Sequence, residues 1–226
     1  EKRGQRGCLR RLVIHGTELK LRLRKVSGID VAYVAGRVPG VVARRDHGAG
    51  GKLRRPAVRG VSTASALREE VCRVGRSLFE RKYVHATAGN ISVRLDDGSF
   101  LITPTDACLG FLDPARLAVV GADGVQINGD RASKTLALHR RIYAAAPGAR
   151  CVIHSHSTHL VALTLQGVLS SDDVVPPITP YFVMKVGHVP LVPYRRPGDS
   201  AAAEHVAGLI TEARRRGKPL RAVMLD

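Results

Sequence analysis

The chain has 226 residues, enough for one domain with a good core and a shorter extension. Its net charge of +17 would suit a nucleic-acid binder. Its 4 cysteines lack C-x-x-C spacing, which argues against a disulfide framework or a zinc knuckle and fits a reducing cytoplasm. No run of 18 apolar residues occurs, so neither a transmembrane helix nor a signal-peptide core is predicted.

The positive charge is concentrated in residues 1–60, which hold 16 basic and 4 acidic side chains, against 20 and 15 in the rest. This segment has no sustained helical or alternating periodicity, so we expect a poorly ordered or non-native extension. The alternative is a solvated arm that binds phosphate backbones or an acidic partner. The body, residues 61–226, is only mildly basic, which argues against nucleic acid as its partner.

The body begins with an amphipathic helix and a hairpin. After Ser62, a capping residue, apolar side chains at Leu67, Val71, Val74 and Leu78 have helical spacing. ISVRL and FLITP are short strands joined by an Asp-Gly turn, and LAVV and VQING follow as further strands.

Helices and strands alternate in the remaining sequence. SKTLALHRRIYAAAP predicts a helix that ends at Pro147, and CVIHSH a short buried strand. STHLVALTLQG predicts a second helix, VVPPITPYFVMKVG a loop that enters a helical turn, and HVPLVPY another strand. PGDSAAAEHVAGLITEARRRG is the last helix, and RAVMLD begins a strand where the sequence stops, which suggests a domain truncated at its C-terminus. The pattern predicts an α/β domain with a largely antiparallel sheet.

Two histidines on one predicted strand are candidate metal ligands. Positions i and i+2 of a strand project from the same face, so His154 and His156 can present two imidazoles to one ion. Imidazole suits Zn, Mn, Fe or Co, and a working site needs a third protein ligand. The alternative is a pair of satisfied, partly buried histidines, the role that we assign to His85, His139 and His159.

A second set of residues offers hydrogen-bond donors before and after the hairpin. Asn90 lies in AGNIS, Thr105 and Asp106 in ITPTD, and Ser133 and Lys134 at the start of a helix. Loop amides, hydroxyls, an ammonium group and a helix N-terminus are what a phosphate monoester requires. For each residue alone, a turn or a helix cap explains the sequence equally well.

The order of AGNIS, ITPTD, SKTLALH, VIHSHSTH and TPYFVMKVG, over about 160 residues from Thr63, resembles the class II aldolase and adducin head family. The resemblance implies a three-layer α/β/α domain with a largely antiparallel central sheet, assembled as a homotetramer with active sites at subunit interfaces. It places the metal at His154 and His156, and the substrate phosphate at Asn90, Thr105, Asp106, Ser133 and Lys134. Tyr181 falls near the family's proton donor to a neighbouring subunit's site.

Within that family, PPITPYFVMKVGHVPLVPYRRPGD and GFLDPARL look most like the 3-oxo-tetronate 4-phosphate decarboxylases. The implied protein acts in carbohydrate metabolism as a metal-dependent carbon–carbon lyase that forms dihydroxyacetone phosphate and CO2. The implied cofactor is a divalent ion, Zn before Mn or Co, which acts as a Lewis acid. Aldol cleavage of a fuculose, rhamnulose or ribulose phosphate requires the same site and stays open.

The sequence departs from the family pattern at two places. Thr135 occupies the position of the family's acid/base glutamate, and its hydroxyl does not titrate near neutral pH. The family's third metal histidine follows the strand that RAVML begins, and this sequence stops at Asp226. A catalytically inactive family member that acts as a scaffold is therefore a further alternative.

Overall fold

The computed structural model describes residues 63–165, 170–196 and 198–226, and the backbone of residues 12–14, 17–19 and 30–35. Its helices are α1 (Thr63–Glu80), α2 (Leu136–Ala145), α3 (Thr158–Leu165), α4 (Pro180–Lys185) and α5 (Ser200–Arg215). Its strands are β1 (Leu12–Ile14), β2 (Thr17–Leu19), β3 (Asp30–Ala35), β4 (Asn90–Arg94), β5 (Phe100–Ile102), β6 (Ala118–Val120), β7 (Gln126–Asn128), β8 (Cys151–Ser155), β9 (Leu191–Val192) and β10 (Ala222–Leu225).

A single eight-stranded sheet organises these elements in the order β7-β6-β5-β4-β8-β3-β10-β9. Each neighbouring pair is antiparallel except β10 with β9, which is parallel. The predicted α/β class with a largely antiparallel central sheet is confirmed.

Helices cover both faces of this sheet because the strand side chains alternate between them. On β8, Cys151 packs in a cluster with Val71 of α1, whereas Val152 packs in a second cluster with Ile142 of α2 and Val206 of α5. The sheet is therefore the middle of three layers, with α1 on one face and α2 and α5 on the other. Neither face could be exposed without leaving an apolar surface in water.

One strand of the sheet comes from the basic front segment, for which the sequence predicts no element. β3 lies between β8 and β10 and is antiparallel to both, and Ala32 is in register with His154. β1 and β2 form a separate antiparallel pair. The rest of residues 1–60, and with it the predicted extension or arm, lies outside the described residues.

No helix in the described part of the chain is both long enough and apolar enough to cross a membrane.

Gly89 lets the turn before β4 approach β8 closely. Its φ is +87°, and a Cβ there would lie 2.8 Å from the His154 carbonyl oxygen and 3.0 Å from Val84 Cγ1. We expect Gly89→Ala to lower the free energy of unfolding, measured by urea denaturation, by more than Gly98→Ala does. Gly98 has a similar φ of +84°, but a Cβ there would meet only Ala122 at 3.9 Å. Equal losses would contradict the close approach and leave only the backbone strain of about 1–3 kcal/mol.

Candidate functional site

The two predicted metal ligands stand at the end of β8. His154 is buried, with 6% of its surface exposed, and His156 follows the strand and is half-buried. Their ring centroids are 5.1 Å apart and the rings are tilted by 40°. With an ion-to-nitrogen distance of about 2.1 Å and a near-tetrahedral angle, two imidazoles that share an ion have centroids about 5 Å apart. The pair therefore has the spacing of two ligands of one divalent ion.

The described part of the chain supplies no third ligand beside the pair. Within residues 63–165, 170–196 and 198–226, no group of three or more His, Cys, Asp or Glu side chains is arranged to hold a metal ion. The hydroxyl of Thr135, which the resemblance places at the family's glutamate position, is a weak ligand beside imidazole or carboxylate. The described residues thus fit a divalent ion at two of its coordination positions.

Asn90 joins the metal pair to the N-terminus of α2. It is the first residue of β4 and lies opposite His154 in the register of β8. Its Nδ2 lies 3.2 Å from Thr135 Oγ1 and 3.2 Å from His154 Nδ1. Ser133 Oγ in turn lies 3.4 Å from Thr135 Oγ1 and accepts a hydrogen bond from the Thr135 backbone N–H at 3.3 Å. The structure therefore brings together four residues from three separate segments of the sequence.

A buried polar network continues from this group along α2. Thr135, His139 and Tyr143 are four residues apart, so they share one face of the helix, and that face lies against β4. Ser92 Oγ is 2.7 Å from His139 Nδ1 and 2.9 Å from the Tyr143 hydroxyl, which also donates to the Ser92 carbonyl at 2.9 Å. Desolvation raises the pKa of Tyr143 and lowers that of His139 to about 3, and the electrostatic interaction of His139 with His154 lowers the pKa of His139 further. Both side chains are therefore neutral at pH 7.

Sequence reasoning missed Ser92, which joins His139 to Tyr143. It placed His139 and Tyr143 on one predicted helix and gave His139 a structural role. The available signal was the Thr-His-Tyr repeat at four-residue spacing inside a helix, combined with a serine inside a buried strand. Polar side chains at such positions need partners, because a buried polar group without one is destabilising.

The other predicted phosphate ligands line the loops next to Ser133. The backbone N–H of Thr105 donates to the Arg131 carbonyl at 2.9 Å, which holds the two loops together two residues before Ser133. Asp106 has a φ of +56°, in the left-handed region that Asp tolerates better than most residues. Lys134 is exposed. Thr105 and Asp106 line a cleft of about 440 Å3 that also includes Arg131, whereas neither histidine lines it.

Tyr181, the predicted proton donor, lies on α4 and is 70% exposed. The Lys185 ammonium stands 5.9 Å from its ring centroid, in the same helix. Tyr181 does not join the hydrogen-bonded group of Asn90, Thr135 and His154, so within one chain the structure keeps these candidates apart.

Comparison with known proteins matches most of the described chain. The family model of the Class II Aldolase and Adducin N-terminal domain matches residues 69–225. A relative from Cupriavidus necator, named 3-oxo-tetronate 4-phosphate decarboxylase, is 62% identical over 154 residues, which are 68% of this chain and 70% of the relative. An Escherichia coli relative of the same name is 47% identical over 147 residues, 65% of this chain and 69% of its own.

A solved structure has the same fold. YgbL from Escherichia coli superposes with a TM-score of 0.61 at 48% sequence identity, over 65% of this chain and 70% of that one. The range matched by the family model includes β4 and β8, which carry Asn90 and His154, and α2, which Thr135 immediately precedes.

Proposed function

This chain belongs to the Class II Aldolase and Adducin N-terminal domain family, and we propose that it is a metal-dependent carbon–carbon lyase that decarboxylates 3-oxo-tetronate 4-phosphate. The products are dihydroxyacetone phosphate and CO2. The observation that carries the proposal is the contact of Asn90 with both His154 and Thr135, beside a histidine pair spaced for one ion. The names of the Cupriavidus necator and Escherichia coli relatives support the choice of substrate.

The metal site consists of His154 and His156, and zinc is the ion that we expect, with manganese or cobalt as alternatives. When bound, the ion supplies a Lewis acid that draws electrons toward the substrate's ketone oxygen. His154, buried and held by Asn90, is the more rigid of the two ligands. With two histidines and no third ligand group in the described residues, we expect weak binding of the ion.

The substrate's phosphate binds at the N-terminus of α2. The orphan backbone N–H groups of a helix N-terminus, together with the Ser133 hydroxyl and the exposed Lys134 ammonium, provide the donors that a phosphate dianion requires. Thr105 and Asp106 lie on the adjoining loop, which Arg131 ties to this segment. The phosphate end of the substrate is thereby directed away from the histidines, and its keto acid end toward them.

The reaction breaks the bond between the carboxyl carbon and C2 of the 3-oxo acid. CO2 leaves, the bond's electron pair moves toward the C3 ketone oxygen, and a proton added at C2 completes dihydroxyacetone phosphate. Tyr181 supplies this proton to the site of a neighbouring subunit in a homotetramer, which agrees with its position on the outer surface. Thr135 replaces the carboxylate that would otherwise shuttle the proton.

A catalytically inactive scaffold is the second candidate, and Thr135 favours it. Its hydroxyl is held between Asn90 and Ser133, where it has neither the charge to bind an ion strongly nor a pKa suited to proton transfer.

The test is an assay of the whole chain with zinc, manganese or cobalt and 3-oxo-tetronate 4-phosphate. Dihydroxyacetone phosphate is detected by its enzymatic reduction with NADH. We expect product from the wild type and from His205→Gln, a control on α5, and only background from His154→Ala.

Absence of product with every ion, combined with bound metal, would favour the scaffold. Cleavage of fuculose 1-phosphate with no decarboxylation would favour an aldolase instead.

A further inference from the structure

The carboxamide of Asn90 is buried and only partly satisfied. Asn90 is 6% exposed, and its Nδ2 lies 3.2 Å from both Thr135 Oγ1 and His154 Nδ1. Its Oδ1 is buried and has no hydrogen-bond partner among the described residues. One end of the amide therefore makes two contacts, and the other end makes none.

The orientation of this amide determines which nitrogen of His154 carries the proton. When Nδ2 faces the ring, Nδ1 accepts a hydrogen bond, so the proton of the neutral imidazole is on Nε2. A metal ion needs a ring nitrogen with its lone pair free, and histidine ligands usually donate their other N–H to an oxygen. The present orientation therefore protonates the nitrogen that the ion requires.

Rotating the carboxamide by 180° exchanges its two ends without changing its shape. Oδ1 then accepts from His154 Nδ1–H and from the Thr135 hydroxyl, which continues to accept from Ser133. Nδ2 moves to the place that Oδ1 occupies now, where it has two hydrogens to donate and no protein acceptor.

We infer that Asn90 is a positioning residue with two orientations, which sets the tautomer of His154 for the ion. This inference rests on the proposed function for the presence of the ion. Family resemblance had suggested only a direct phosphate contact for Asn90.

Two substitutions test this role. Asn90→Asp presents only acceptor oxygens, so it holds the proton of His154 on Nδ1. Asn90→Ala removes the contact with the ring. Asn128→Asp is the matched control, because its exposed side chain accepts from Arg68 and can still do so as a carboxylate.

The first measurement is the dissociation constant of zinc, obtained by competition with a chromophoric chelator. We expect Asn90→Ala to weaken zinc binding about 10–100-fold, the usual effect of losing a ligand's hydrogen-bond partner. Asn90→Asp should bind zinc at least as tightly as the wild type. If Asn90→Ala leaves the zinc affinity within about threefold of the wild type, well short of the usual change, the inference is wrong.

The second measurement does not require the ion. In the metal-free protein, 15N-detected NMR of the imidazoles should show His154 protonated on Nε2 in the wild type and on Nδ1 in Asn90→Asp. The same tautomer in both proteins overturns the inference. If the wild type takes up no zinc, the proposed function fails, while the NMR comparison still decides the role of Asn90.

Discussion

Thr135→Glu is expected to tighten zinc binding at least about tenfold and to raise the decarboxylation rate by about 10²–10⁴-fold. The longer side chain starts from a residue that already contacts Asn90, which in turn contacts His154, so we expect its carboxylate to reach the proposed metal site. It adds the third protein ligand that zinc sites use and a group that can exchange a proton. Its charge also suits the N-terminus of α2. Zinc affinity and the kcat for product formation measure the two effects separately.

The matched control is Thr135→Gln, which has the same length and loses the same contact with Asn90 but carries no charge. Circular dichroism should show both variants folded. If Glu and Gln bind zinc equally, the carboxylate does not reach the ion, and the resemblance to the family's glutamate position has no chemical consequence here.

Acid is expected to destabilise the metal-free protein through His139. Burial holds the pKa of His139 at about 3 in the folded chain, against an ordinary value of 6.5. Between these values the unfolded chain holds one more proton, so stability is fully present above about pH 6.5 and is lost as the pH falls. This one group should lower the free energy of unfolding by about 2 kcal/mol between pH 7 and pH 5.

Urea denaturation at both pH values, with a chelator present, measures this loss. His139→Gln should be less stable than the wild type at pH 7, because it disturbs the hydrogen bond with Ser92. Its free energy of unfolding should not show the loss of about 2 kcal/mol between pH 7 and pH 5. His85→Gln should keep it, since His85 is exposed and meets the same solvent in both states. A wild type and a His139→Gln variant with equal pH dependence would contradict the buried neutral imidazole.

Most of the elements could be predicted because their signals are local. The helix predicted from the apolar spacing of Leu67, Val71, Val74 and Leu78 is α1. The predicted Asp-Gly turn joins β4 to β5. β3 was not predicted, because its six residues stand in a basic segment without sustained alternation and have no pairing partner nearby. It pairs with β8 more than a hundred residues later, and such a partner can be chosen only when the sheet assembles.

Part of the candidate site could also be predicted from the sequence. The i, i+2 spacing of His154 and His156 alone places two imidazoles together, and the ordered motifs around them indicated the family. The contact between Asn90 and His154 could not be predicted, because it depends on the register of β4 with β8, and the two residues are 64 positions apart in the sequence. Ser92, His139 and Tyr143 likewise meet only because α2 packs on that face of the sheet.

The sequence by itself thus determined the family and the α/β class, and it supplied the candidate site residues, including the threonine at position 135. These properties follow from which side chains are present and how they are spaced along one element. Only the tertiary structure decided that Asn90 lies between Thr135 and His154, that the histidine at position 139 is buried and neutral, and that Tyr181 lies on the outside. Burial and contact across strands depend on packing between distant segments, and no local pattern in the chain specifies that packing.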